Sequence, residues 1–154
     1  MTHRSTRLHR LAAVATVAVL MVMSTALPAS ANQWDTTMGS LNTTQAGTDL
    51  GYQVEGKGRM VRLADADKTV AQVRVSGLTA RRSYPATVNS GTCSDSPIGG
   101  AVYGGFSSFS VTTDRNGGGE ANSHFDGIAG ADARTIVVYD HADPTVAIGC
   151  ADLK

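Results

Sequence analysis

Residues 69–75, Thr-Val-Ala-Gln-Val-Arg-Val, alternate apolar and polar side chains with a period of two. Ala71, Val73 and Val75 therefore face one way, while Gln72 and Arg74 face the other. That pattern describes a half-buried strand, which needs neighbours to satisfy its backbone and a core to cover its apolar face. Further strands are expected at 60–63, 84–89, 106–112, 120–125 and 135–140. The charged stretch Ala64-Asp65-Ala66-Asp67-Lys68 reads as one turn, and Asp114-Arg115-Asn116-Gly117-Gly118-Gly119 as a hairpin turn whose glycines accept positive φ. Beyond residue 50 no 11-residue window carries a helical stripe, so short strands between turn residues predict an all-β sandwich or barrel.

Residues 32–50 are rich in Ser, Thr, Asn, Gln and Gly and offer little apolar surface to bury. They are expected to form a flexible lead-in. The alternative is a short docked helix, since Trp34, Met38 and Leu41 share helical spacing over two turns.

The first 31 residues combine Arg4, Arg7 and Arg10, an apolar run from Leu11 to Met23, and the small-x-small triplet Ala29-Ser30-Ala31. This is the layout of a secretory signal peptide cleaved after Ala31. The apolar run is too short for the roughly 20 residues that cross a bilayer as a helix. A secreted protein without a membrane anchor is expected: signal peptide 1–31, lead-in 32–50, one β domain 51–154.

Lys+Arg and Asp+Glu are equal at 13 each over the whole chain, so losing three leader arginines leaves the remainder mildly acidic. Nucleic-acid binding, which needs clustered basic charge, is not expected. Arg81-Arg82 is the one adjacent pair of basic side chains past the leader, and it reads as a solvated turn. Export also places Cys93 and Cys150, the only cysteines, where a pair in a small domain is bridged more often than free.

Two segments carry a family likeness. Val75-Ser76-Gly77-Leu78-Thr79 followed by Tyr84-Pro85-Ala86-Thr87-Val88-Asn89-Ser90-Gly91-Thr92-Cys93, and Thr135-Ile136-Val137-Val138-Tyr139-Asp140-His141-Ala142-Asp143 followed by Ile148-Gly149-Cys150, resemble secreted bacterial copper/zinc superoxide dismutases. The likeness covers roughly residues 70–154. It implies a Greek-key β-barrel stapled by a Cys93–Cys150 disulfide. It also implies metal-binding histidines at positions occupied here by Thr87, Asn89 and Tyr139. Gly99-Gly100-Ala101-Val102-Tyr103-Gly104-Gly105 falls where the family places its bridging and zinc histidines, making Val102 a fourth altered position. Ala147 stands where active relatives carry an anion-attracting arginine.

The chemistry agrees with that reading. Copper and zinc at a redox site favour imidazole, and only His124 and His141 follow the leader, too few for a dinuclear imidazole centre. Each remains a weak metal candidate, His141 between Asp140 and Asp143, His124 two residues from Asp126. The competing reading is that these polar residues form solvated turns. Tyr139 either makes an aromatic surface with Tyr103 or is an ordinary strand tyrosine with a wet hydroxyl. No Gly-x-Ser-x-Gly segment suggests an activated serine.

The expected function is that of a non-catalytic superoxide dismutase-like module, binding a protein or cell-envelope partner and needing no cofactor. One alternative is a dismutase or copper/zinc-binding protein with an unconventional site. Another is an extracellular β domain of the chordin type.

Overall fold

The computed structural model describes residues 34–106 and 108–154. The expected signal peptide lies outside the described residues, as does Ser107 within the expected 106–112 strand. Eight strands form one antiparallel sheet: β1 (Trp34–Thr43), β2 (Glu55–Leu63), β3 (Lys68–Ser76), β4 (Ser83–Asn89), β5 (Phe109–Thr112), β6 (Gly119–Asp126), β7 (Thr135–Tyr139) and β8 (Ala147–Asp152). Their order is β5-β4-β7-β8-β1-β2-β3-β6, and the end strands β5 and β6 come back together, giving a nearly closed barrel. Among the described residues no helix is long and apolar enough to cross a membrane.

Alternation decides which side chains fill the barrel. On β3, Ala71, Val73 and Val75 are buried while Arg74 is exposed, as the sequence pattern requires. β4 sends Tyr84, Ala86 and Val88 into the same core, joined there by Met60, Val111, Ile136 and Ile148. β7 is buried on both faces. Ile136 and Val138 enter the core, whereas Val137 and Thr135 point outward yet are equally inaccessible. The loop 90–102 covers that outer face: the Thr135 hydroxyl donates to the Gly91 carbonyl, and Cys93 is bridged to Cys150, the Cα partner of Val137.

The flexible lead-in is overturned. Residues 34–43 form β1, in continuous register with β2 from Trp34↔Leu63 to Asn42↔Glu55, and Leu41 is a core residue. The short-helix alternative for this stretch fails with it. Composition misled because small residues here serve close packing: a Cβ on Gly39 would sit 1.9 Å from the Asp152 carbonyl oxygen. The Met38 and Lys154 backbones exchange two hydrogen bonds beside that contact, continuing the β1–β8 ladder. After β1 comes one helical turn, α1 (Gln45–Asp49), capped by the Thr44 hydroxyl, which accepts the Gly47 N–H. β8 has no counterpart among the expected strands.

The hairpin expectation is half right. Asp114–Gly118 is a tight turn, with the Asp114 N–H donating to the Gly118 carbonyl. β5 nevertheless ladders with β4, and β6 with β3. The turn therefore joins the two ends of the sheet across the seam where the barrel closes.

Candidate functional site

Thr87 and Asn89 are two apart on β4, so both project from its outer face, opposite the core residues Ala86 and Val88. β7 lies alongside with Thr87↔Val137 and Asn89↔Thr135 as partners, which carries Tyr139 to the same face. The three side chains meet. Thr87 Oγ1 is hydrogen-bonded to Asn89 Oδ1 at 2.5 Å and to Tyr139 Oη at 3.3 Å. With one hydroxyl proton on Thr87, the Tyr139 hydroxyl supplies the second bond. Asn89 is almost fully buried, and its Nδ2 donates to the Gly100 carbonyl at 3.2 Å, tying the floor of the site to the covering loop.

Asn89, Val102 and Tyr139 line one concavity of about 460 Å³, together with Ile98, Val146 and Ala147. Val102 forms an isolated bridge with Asn89 and is 57% exposed at the rim. Ala147 is the Cα partner of Tyr139 across the β7–β8 ladder. The positions singled out in the sequence are thus neighbours in space. Their donors are a hydroxyl, an amide and a phenol, a neutral set that suits hydrogen bonding and ligates copper or zinc poorly.

His141 belongs to a different cluster, in the turn after β7. Its Nδ1 is 3.1 Å from Asp140 Oδ1 and 3.2 Å from Tyr52 Oη, and its ring packs against Tyr84 with centroids 5.3 Å apart. The Tyr52 hydroxyl donates to Asp140 Oδ1 at 2.6 Å, while the Ala142 and Asp143 N–H groups donate to Oδ2. Burial pushes the Asp140 carboxyl upward and is the largest single influence, but the bonds from Tyr52, His141, Asp143 and Ala142 together hold it below its usual 3.8. The Tyr52 phenol is pushed well above its ordinary range, by burial first and by the Asp140 bond second. Asp143 accepts from the Thr145 N–H and hydroxyl. The acidic turn thus spends its carboxylates on its own backbone and on Tyr52. The sequence placed Asp140, His141 and Asp143 in one turn, but nothing local pointed to Tyr52, 88 residues away.

His124 sits exposed on β6 opposite Val70. Among the described residues no group of three or more His, Cys, Asp and Glu side chains is arranged to hold a metal. Tyr103 does not join Tyr139: its ring packs with Phe106 and Phe125, and its hydroxyl accepts the Gly130 N–H.

The Cys93–Cys150 disulfide spans 57 residues and staples the covering loop to β8. Arg81 and Arg82 are exposed, as a solvated turn requires. No family model matches this chain, and no curated protein does.

Proposed function

We propose that this chain is an exported, non-catalytic β-barrel of superoxide dismutase type, in which the copper position has become a hydrogen-bonding floor and the concavity above it serves a binding role. One observation carries the reading: Thr87, Asn89 and Tyr139, distant in sequence and equated by resemblance with three metal-binding histidines, form one hydrogen-bonded cluster. The strand order adds support of a coarser kind. β3 pairs with β6 and β4 with β7, so the chain twice skips its sequence neighbour in the manner of Greek-key connections.

The reading requires that purified protein loaded with copper and zinc turn over no superoxide above background. A copper-dependent rate abolished by His141→Ala would establish the unconventional dismutase instead. Geometry is tested separately by restoring ligands. Thr87→His, Asn89→His and Tyr139→His together should tighten zinc or copper binding over the parent by at least about 1.4 kcal/mol, a tenfold change, in calorimetry. No gain in a folded triple variant would show that these side chains do not converge as metal ligands.

A further inference from the structure

We propose that Asn116 is a site of spontaneous deamidation and isoaspartate formation, and that this change loosens the turn that closes the barrel. Asn116 is exposed and is followed by Gly117, which has no side chain to obstruct attack on the Asn116 amide. The Gly117 N–H donates a long 3.4 Å bond to the Asp114 carbonyl. The other described asparagines are protected differently: Asn42 and Asn122 lie in strand ladders and precede Thr43 and Ser123, and Asn89 is buried before Ser90.

The chemistry needs only water. The Gly117 backbone nitrogen, after losing its proton to solvent base, attacks Asn116 Cγ. A carbon–nitrogen bond closes a five-membered succinimide, and the side-chain nitrogen leaves as ammonia. Water then opens the ring at either carbonyl, giving aspartate or isoaspartate. In isoaspartate the main chain runs through the former side chain and is one atom longer. The balance is one water consumed, one ammonia released, and a neutral amide replaced by a carboxylate.

Both products disturb what the turn holds. Asp114 Oδ1 accepts the N–H groups of Asn116 at 2.7 Å and Gly118 at 3.0 Å, so a new carboxylate at residue 116 stands beside one already present. A lengthened backbone displaces Gly117, whose carbonyl accepts the Leu78 N–H and whose Cα is packed so closely that an added Cβ would lie 2.0 Å from the Leu78 carbonyl oxygen. Leu78 is a core residue, and the turn is the covalent link between β5 and β6.

Folded protein incubated at mildly alkaline pH and mapped by peptide mass spectrometry, with isoaspartyl methyltransferase labelling, tests the site. Asn116 should convert several-fold faster than Asn42, Asn89 and Asn122 in the same sample. The separated isoaspartyl form should melt below both the parent and Asn116→Asp, which carries the charge without the longer backbone. Conversion of Asn116 no faster than the other asparagines would overturn the site. An isoaspartyl form melting with the parent would overturn its effect on the barrel.

Discussion

Asp140 is the side chain on which the most bonds converge at the β7–β8 end of the barrel. It is 6% exposed and accepts from Tyr52, His141 and two backbone N–H groups. Asp140→Asn keeps the shape but removes the charge that strengthens those bonds. It should lower unfolding free energy by about 1.5–3 kcal/mol in urea titrations near neutral pH. Tyr52→Phe should cost about 1 kcal/mol, and a double-mutant cycle should show the two losses coupled. The pH dependence follows from the depressed carboxyl. Its contribution is fully present above the unfolded value of 3.8 and is lost as pH falls through the lower folded value. The parent should therefore shed stability below about pH 4 more steeply than Asp140→Asn, a difference read from denaturant midpoints across acid pH.

At the level of elements, β1 and the loop 90–102 decide whether the outer site exists. β1 passes β8 so closely that Gly39→Ala must push the two backbones apart, an overpacking cost of about 1–3 kcal/mol visible in thermal or urea unfolding. The loop is the roof over Val137, Thr135 and Asn89, and its covalent anchor is the disulfide. Cys93→Ser with Cys150→Ser should destabilise the fold by about 4 kcal/mol on the chain-entropy account. Hydrogen exchange should rise first at loop amides such as Gly91 and Gly99, whose bonds at 2.7 and 2.9 Å are made within the loop or its base. Equal protection of the loop with and without the bridge would show that its backbone bonds alone hold it.

For the whole molecule, the sheet order places β1 between β8 and β2, so it ladders the β5-β4-β7-β8 half to the β2-β3-β6 half on the side opposite the β5–β6 seam. A chain beginning at Gln45 should lose cooperative unfolding by circular dichroism, since two edges would be left unpaired. A chain with a truly flexible lead-in would keep its transition unchanged.

The sequence by itself determined the local terms. Alternation at Ala71, Val73 and Val75 set strand and inner face together, because side-chain direction on a strand is fixed by period two. The i, i+2 spacing of Thr87 and Asn89 put both on one face before any partner was known. It misread 34–43, because the stability of β1 comes from a ladder to β2 and from contact with β8 rather than from its own apolar content. Only the tertiary structure decided that β5 and β6 turn outward to β4 and β3, that Tyr139 meets Thr87, and that Tyr52 reaches Asp140. Those pairings depend on which non-local surfaces bury together and satisfy each other's hydrogen bonds, a choice that no single segment encodes.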